Sequence, residues 1–193
     1  MTDRMEDRKA KLRRAGILAR ESLSQEEREK GSIRIVEQIL KSPEYKSARI
    51  VMLYKAVRGE VRLDRLESDP STADKRLVYP YCIDKVSMAA LEPMDEDSWG
   101  EGSYGIQEPL PEKSLEISPD QIDLVICPCT VFDEQGNRIG MGAGYYDRFL
   151  EKCVNARIIS VAFEAQKADD IPVHTWDKAV EKTYTETNIY EIN

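Results

Sequence analysis

A glycine-rich run that carries charged residues is the part of this sequence best suited to chemistry. Four of the ten glycines fall within Gly136–Gly144, and three of those four stand at alternate positions. Glycine has no Cβ, so backbone N–H groups in such a run can approach phosphate oxygens closely. Arg138 adds positive charge, and Asp147 follows with a carboxylate of the kind that binds Mg²⁺. The pattern predicts a phosphate-binding loop with a metal-binding carboxylate beside it.

The spacing of these glycines excludes two common nucleotide-binding motifs. The run lacks the Gly-Lys-Ser/Thr of a P-loop and the Gly-x-Gly-x-x-Gly of a dinucleotide site. Taken alone, the glycines are also compatible with a plain flexible turn before a helix. The residues that come next, Tyr145, Tyr146 and Asp147, favour a binding site instead.

A second charged feature is the N-terminal segment. Residues 1–14 carry a net charge of +3, whereas the whole chain carries −8. Lys9 and Arg13 are four residues apart, so on a helix they share one face. A basic face exposed to solvent is the alternative interpretation. The acidic balance of the whole chain makes DNA or RNA an unfavourable partner, because phosphate repels net negative charge.

The composition restricts the chemistry further. The single histidine, His174, excludes a zinc site built from several imidazoles. The four cysteines, which include Cys127 and Cys129 with one proline between them, are typical of reduced thiols in a cytosolic core. No apolar run approaches the ~18 residues of a membrane span, and the charged N-terminus does not resemble a secretory signal. We therefore expect a cytoplasmic protein without a membrane partner.

Apolar periodicity predicts an alternation of helices and strands. Residues 3–22 form a predicted helix with an apolar stripe of Leu12, Ala15, Ala19 and Leu23. Ser24 and Glu27 form a capping box that starts a second helix at Gln25, which ends before Pro43. Strands are expected at Ala48–Tyr54, Arg76–Tyr79, Val86–Leu91, Asp123–Cys127 and Arg157–Ala162. Strands that alternate with helices indicate an α/β fold, a three-layer α/β/α single domain over residues 1–193 with a mostly parallel sheet.

Several details of this prediction can be tested directly. The second strand should stop at Pro80, because proline cannot donate to a strand ladder. Residues 92–119, rich in proline and glycine, should be a long irregular segment. The glycine-rich turn should follow the Asp123–Cys127 strand and lead into a helix at Tyr145–Lys152. Residues Thr183–Tyr190 should form one edge strand.

The run from Arg138 to Asp147, Arg-Ile-Gly-Met-Gly-Ala-Gly-Tyr-Tyr-Asp, resembles the signature of the 5-formyltetrahydrofolate cyclo-ligase family. Other segments fit that family in the same order along nearly the whole chain. They are the basic first helix, Leu23–Arg28, Gly59–Val61 and Tyr104–Pro109. The resemblance implies a NagB/RpiA/CoA-transferase-like α/β fold. It also implies an enzyme that uses ATP and Mg²⁺ to convert 5-formyltetrahydrofolate into 5,10-methenyltetrahydrofolate.

The same resemblance implies a role for individual residues. Arg138 and Tyr145 are the implied catalytic residues, and Asp147 and Asp177 are the implied Mg²⁺ ligands. The implied ATP-binding residues are Lys9, Arg13, Arg138, Ile139, Gly140, Met141, Gly142, Ala143, Gly144, Tyr145 and Tyr146. The implied folate-binding residues are Lys55, Glu60, Met141, Gly142 and Tyr145, with the Glu60 carboxylate accepting two hydrogen bonds from the pterin edge.

One residue departs from the family pattern, because some members carry a lysine where this chain has Ala143. Two other classes of function therefore stay open. One is a non-catalytic regulator that binds folate or nucleotide on the same scaffold, and the other is a kinase or transferase for another small acid. The expected partners are small molecules, ATP and a reduced folate, and the chain is expected to be a monomer.

Overall fold

The computed structural model describes residues 2–102 and 105–192, apart from the side chains of residues 2 and 3. In this part of the chain the α-helices are α1 (Thr2–Ser22), α2 (Gln25–Lys41), α3 (Pro43–Ser47), α4 (Asp64–Glu67) and α5 (Tyr145–Leu150). The strands are β1 (Ile50–Met52), β2 (Arg76–Cys82), β3 (Met88–Pro93), β4 (Trp99–Glu101), β5 (Gln107–Pro109), β6 (Ser114–Ile117), β7 (Leu124–Pro128), β8 (Val131–Phe132), β9 (Arg138–Ile139), β10 (Arg157–Val161), β11 (Lys182–Tyr184) and β12 (Ile189–Glu191).

Eight of these strands form one sheet in the order β12-β11-β10-β7-β1-β2-β3-β6. The five strands from β11 to β2 are parallel, and the strands added at either side are antiparallel. β7, the most hydrophobic predicted strand, lies inside the sheet, where Ile126 pairs with Ile159 of β10. The prediction of an α/β fold with a mostly parallel sheet is confirmed.

Alternate residues of β1 show how the two helical layers form. Val51, and Leu53 directly after the strand, lie in a core cluster that contains Ile35, Val36 and Ile39 of α2. Met52 points to the opposite cluster, which contains Phe149 and Leu150 of α5. Successive side chains of a strand face opposite sides, so a fully buried strand must be covered on both. The sheet is accordingly sandwiched between helices.

The longest helix, α1, lies across the carboxyl edge of the sheet and packs against β8, β9 and the turn at Glu164–Gln166. Leu12 and Leu23 of the predicted apolar stripe pack against core clusters, whereas Ala15 is exposed and Gly16 is buried in its place. A Cβ on Gly16 would lie 2.2 Å from the Thr130 carbonyl oxygen, so only glycine permits this approach. None of the helices in the described residues is both long and apolar enough to cross a membrane.

The capping box that starts α2 is confirmed. The Ser24 hydroxyl accepts a hydrogen bond from the Glu27 backbone N–H, and the Glu27 carboxylate accepts one from the Ser24 N–H. The helix ends at Lys41, ahead of Pro43, as the sequence predicts.

The predicted stop at Pro80 is wrong. β2 continues to Cys82, and Pro80 pairs with Ala90 of the antiparallel neighbour β3. The parallel pairing with β1 has already ended at Val78, so Pro80 lies beyond the residues that pair with β1.

Two further predictions need correction. Residues 92–119 are not irregular throughout, because they contain β4, β5 and β6, and β6 extends the main sheet by pairing with β3. The single edge strand expected at Thr183–Tyr190 is instead the hairpin of β11 and β12. Short strands with few apolar residues carry too little periodicity to be recognised from sequence.

The close approach at Gly16 gives a stability test. Alanine usually stabilises a helix interior relative to glycine by about 0.5–1 kcal/mol. At this position we expect the opposite sign, with Gly16→Ala lowering the free energy of unfolding by about 1–3 kcal/mol through overpacking. Chemical denaturation measures the change, with Ala15→Gly at the exposed neighbouring position as the control for helix propensity. A Gly16→Ala variant more stable than the parent would contradict the packing described.

Candidate active site

The charged residues singled out in the sequence gather at the carboxyl edge of the parallel strands. Glu60 follows β1, the glycine-rich loop comes after β7, and α1 covers the same edge with Lys9 and Arg13. In open α/β sheets this edge is the usual place for a ligand. The fold therefore brings together residues that are far apart in the sequence.

The glycine-rich loop begins later than predicted. The short hairpin of β8 and β9 separates it from β7, and Ile139 in β9 pairs with Val131 and is buried. Gly142 and Gly144 have φ of 102° and 68°, conformations that L side chains rarely adopt. Gly144 is also the residue that precedes α5. These two glycines are needed for the path of the backbone into the helix.

Arg13 of α1 lies directly over this loop. Its Nε donates a 2.8 Å hydrogen bond to the Gly140 carbonyl oxygen. Its guanidinium group lies 3.2 Å from where a Cβ on Gly142 would stand, whereas nothing lies within 4 Å of a Cβ on Gly140. The loop therefore has one side against a cation and open space at Gly140.

Arg148 of α5 holds the loop from its other end. Its Nη2 donates to the Ala143 carbonyl oxygen at 2.7 Å, and its Nε donates to the Val86 carbonyl oxygen at 2.7 Å. The neighbouring Met141 is half-exposed, with its sulfur 3.7 Å from the Thr130 hydroxyl. The loop is thus flanked by two guanidinium groups, although its own position 143 carries no charge.

The Arg138 side chain is buried beneath the loop. Its Nη1 donates to Asp147 Oδ1 at 3.0 Å and to the Lys178 carbonyl oxygen at 2.8 Å. Its Nη2 is buried without a hydrogen-bond partner among the described residues. A buried guanidinium with an unused donor can still accept an anionic ligand.

Lys9 reaches the other carboxylate predicted to bind metal. Its Nζ lies 2.5 Å from Asp177 Oδ2, which also accepts a 2.7 Å hydrogen bond from the His174 backbone N–H. Lys9 is buried, although α1 is rich in charged residues. The N-terminal half of α1 is thereby joined to the segment that precedes β11.

The two predicted metal carboxylates lie near each other. Asp147 Oδ1 accepts a long hydrogen bond, 3.4 Å, from the backbone N–H of Lys178, the residue after Asp177. Both bonds to Asp147 go to Oδ1, so its Oδ2 has no hydrogen-bond partner among the described residues. Nowhere in the described part of the chain do three or more Asp, Glu, His or Cys side chains form a group that could hold a metal ion. A Mg²⁺ ion that is also coordinated by phosphates needs only one or two carboxylates from the protein. The two carboxylates Asp147 and Asp177 fit an ion of that kind.

Glu60 is a buried carboxylate at the end of a tight turn. Arg58 and Gly59 have φ of 48° and 77°, and the Glu60 backbone N–H donates to the Val57 carbonyl oxygen at 3.0 Å. The Glu60 side chain accepts from the Val57 N–H at 3.1 Å, and its other oxygen lies 3.6 Å from Arg20 Nη1. Burial raises the pKa of Glu60, and the Val57 N–H, Arg20 and Arg58 oppose that rise.

A cleft of about 420 Å³ opens beside Glu60. Lys55 also lines it, with its Nζ 2.8 Å from Glu67 Oε2 and over the rings of Tyr79 and Trp99 at 5.0 and 4.7 Å from their centroids. The described lining comes from α2, the β1–α4 connection and residues 105–107, and the loop residues 138–147 lie outside it. Tyr104, which the resemblance places in this wall, lies outside the described residues.

The two tyrosines at the start of α5 point in different directions. The Tyr145 hydroxyl donates to the Asp84 carbonyl oxygen at 2.7 Å. The Tyr146 hydroxyl is buried without a hydrogen-bond partner among the described residues, and burial raises its pKa well above the ordinary value. Cys127 and Glu60 raise that pKa further, whereas Arg138 opposes the rise.

One buried charge at this edge is absent from the sequence prediction. Arg20 of α1 contacts Glu60, and its side chain is only 1% exposed. It lies seven residues beyond Arg13 and eleven beyond Lys9, so all three cations share one helical face with Gly16. The seven-residue spacing from Arg13 is a signal in the sequence, but an arginine beside an apolar stripe is more typical of an exposed position.

These features define an α/β protein with a charged site at the carboxyl edge of its sheet, between a cationic helix face and a glycine-rich loop. The model of the 5-formyltetrahydrofolate cyclo-ligase family matches residues 5–186. The chain belongs to this family. The family members to which it is similar are named as enzymes.

Curated relatives and solved structures agree with this assignment. The chain is 28% identical over 138 residues to a 5-formyltetrahydrofolate cyclo-ligase of Haemophilus influenzae, covering 69% of this chain and 74% of that one. It is 26% identical to the Mus musculus enzyme of the same name, covering 86% and 87%. The solved 5,10-methenyltetrahydrofolate synthetase of Aquifex aeolicus superposes with a TM-score of 0.84 at 31% identity, covering 96% and 93%. A Mycoplasma pneumoniae structure at 22% identity and TM-score 0.76, covering 92% and 98%, shares the fold.

The backbone of the loop gives a second stability test. Gly142→Ala places a side chain at φ 102° and against Arg13, and we expect a loss of about 1–3 kcal/mol in the free energy of unfolding. Gly140→Ala is the matched control, because its Cβ would enter open space. Equal stabilities of the two variants in denaturant titrations would show that the loop does not adopt this conformation.

Proposed function

We propose that this protein converts 5-formyltetrahydrofolate into 5,10-methenyltetrahydrofolate with Mg·ATP, releasing ADP and phosphate. The observation that carries the proposal is that two different kinds of charged group, a set of cations and a buried carboxylate, lie at one edge of the sheet. Lys9, Arg13 and Arg138 supply cations around an open glycine loop, and Glu60 supplies a buried carboxylate beside a cleft. The first set suits a polyphosphate, and the second suits a ring with adjacent N–H donors.

The reaction has one chemical difficulty, which is the poor leaving ability of the formyl oxygen. Transfer of the γ-phosphoryl group of ATP to that oxygen breaks the bond to ADP and makes the oxygen part of a phosphate. N10 then attacks the formyl carbon and loses its proton, and the carbon–oxygen bond breaks as phosphate leaves. The protein mainly has to align two substrates and neutralise phosphate charge, which requires neither a histidine base nor a cysteine nucleophile.

On the nucleotide side, we infer that the phosphates lie above Gly140, where the backbone faces open space. Lys9 and Arg13 would approach them from α1, and Arg138 would approach from below with its unused Nη2. The charge that Ala143 does not carry would be supplied by the guanidinium groups of Arg13 and Arg148, which flank the loop. The remaining ATP contacts proposed from the resemblance are backbone or ring contacts along Ile139–Tyr146.

For the metal, Asp147 and Asp177 are the proposed protein ligands. Asp147 Oδ2 has no hydrogen-bond partner among the described residues, which supports this assignment, and so does the proximity of the two residues through Lys178. Bound Mg²⁺ would neutralise the phosphates and orient the γ-phosphoryl group. Arg138 and Lys9 would hold the two carboxylates in place through the ion pairs already present.

On the folate side, the Glu60 carboxylate would accept two hydrogen bonds from the pterin edge. Lys55 lines the same cleft, and Met141, Gly142 and Tyr145, which the resemblance assigns to folate, would contact the part of the substrate that extends beyond it. Lys55 is paired with Glu67, so it would contribute more through the shape of the wall than through free charge. The Tyr146 hydroxyl is protonated and has no hydrogen-bond partner among the described residues, so it would be able to donate to an oxygen of a bound substrate.

The proposal is tested by mixing the protein with 5-formyltetrahydrofolate and Mg·ATP. We expect near-ultraviolet absorbance of the methenyl product to rise in step with ADP release, because both come from one reaction. The control omits ATP. Absence of product with ATP left intact would overturn the proposal and favour a non-catalytic binder, and ADP release without methenyl product would favour a kinase.

Two carboxylate variants should separate the two substrates. Glu60→Gln should raise the folate KM about tenfold or more with little effect on kcat, because it removes a charged acceptor from the binding of the ring. Asp147→Asn should lower kcat by about a hundredfold and weaken the dependence on Mg²⁺. Steady-state kinetics with each substrate varied measures both effects.

The controls for these variants are exposed carboxylates that the proposal does not assign to either substrate. Glu26→Gln lies on the exposed face of α2, and Glu151→Gln lies directly after α5. Both should retain parent kinetics. An unchanged folate KM in Glu60→Gln would remove Glu60 from the proposed folate site.

A further inference from the structure

Arg20 is a cation buried inside the protein with most of its hydrogen-bonding capacity unused. Its side chain is 1% exposed, and its Nη1 lies 3.6 Å from Glu60 Oε1. None of its three guanidinium nitrogens has a hydrogen-bond partner among the described residues. Burial of a charge costs free energy unless a partner compensates it. The burial of Arg20 with Glu60 as its ion-pair partner therefore requires an explanation.

The position of Arg20 is fixed by the helix that carries it. Gly16 lies one turn before Arg20 and rests against the Thr130 carbonyl oxygen, which sets the distance of α1 from the sheet edge. Arg20 therefore enters the interior from a rigid element rather than from a mobile loop. Its guanidinium group lies on the side of Glu60 opposite to the Val57 N–H bond, because it approaches the other carboxylate oxygen.

The charged and titratable groups that face Glu60 come from every element around it. They are Arg20 of α1, Arg58 of its own turn, Tyr54 after β1, Cys129 after β7, Tyr146 of α5, and the half-buried Arg28 of α2 and Lys55, which line the same cleft. Arg58 is exposed, so its influence is screened by water. Burial raises the pKa values of Tyr54, Cys129 and Tyr146, so these groups stay neutral. Arg20 is accordingly the buried cation of this set.

We propose that Arg20 is a positioning residue for folate binding, which keeps the Glu60 carboxylate ionised and oriented without touching the substrate itself. This inference rests on the proposed function. An ionised carboxylate offers acceptors only, which matches two adjacent N–H donors on the pterin. A protonated carboxyl offers one donor and one acceptor, so it would leave one pterin donor facing another donor.

The direction of the pH dependence follows from this arrangement. Burial already raises the pKa of Glu60, and Arg20 opposes that rise. Removal of Arg20 raises the pKa further, so the carboxyl becomes protonated at a higher pH. Folate binding should then be lost as pH falls through the raised pKa of Glu60 and recovered as pH rises above it.

The experiment compares Arg20→Met, Arg20→Lys and the exposed control Arg14→Met, with both KM values measured from about pH 6 to pH 9. Arg20→Met should raise the folate KM about thirtyfold near pH 7, leave the ATP KM within about threefold, and approach the parent as pH rises. Arg20→Lys keeps the charge with a poorer fit and should recover most of the loss. Arg14→Met should match the parent. The thermal unfolding midpoint of each variant is measured alongside.

Several results would overturn the proposal. An unchanged folate KM in Arg20→Met is one, and an equal rise in both KM values at every pH, as a general loss of structure would give, is another. In a Glu60→Gln background, Arg20→Met should raise the folate KM little further. A further rise as large as in the parent background would also contradict the proposal. This double variant has no unpaired buried charge and serves as the test where Arg20→Met alone does not fold. An inactive parent protein would overturn the proposed function instead, so the two failures are distinguishable.

Discussion

The contact between Gly16 and the Thr130 carbonyl oxygen is the constraint on which the rest of the site depends. It brings the backbone of α1 against the chain that leaves β7, closer than any side chain would permit. Because Lys9, Arg13 and Arg20 lie on the same helical face as Gly16, one close approach places all three cations. Lys9 meets Asp177, Arg13 meets the glycine loop, and Arg20 meets Glu60.

The same contact explains how an acidic protein can present several cations at one edge of its sheet. The net charge of −8 is a sum over the whole chain, whereas Lys9, Arg13, Arg20 and Arg138 lie together at the carboxyl edge of the sheet. Arg20, Arg138 and Tyr146 keep buried donors there without partners in the described residues. Such donors are costly in a folded protein, and they concentrate where a ligand supplies the missing acceptor. In our proposal, the phosphates and the reduced folate bind where these donors lie.

The sequence predicted the fold better than it predicted the contacts of the first helix. The β7 run and the Ser24 capping box carry strong local signals, and both are confirmed. The continuation of β2 through Pro80 could not be predicted, because it depends on which strand pairs beyond Val78. The family resemblance pointed to the loop and Glu60, which the fold brings to one edge. Arg20 was missed, since a buried cation leaves no apolar periodicity and its partner lies forty residues away.

The central claim is that α1 and the glycine loop together bind one nucleotide. A crystal structure of the protein with Mg²⁺ and a non-hydrolysable ATP analogue tests it most directly. The account predicts phosphate density above Gly140, within hydrogen-bonding distance of Lys9 and Arg13 on one side and Arg138 on the other. Triphosphate density away from α1, beyond hydrogen-bonding distance of both Lys9 and Arg13, would contradict it.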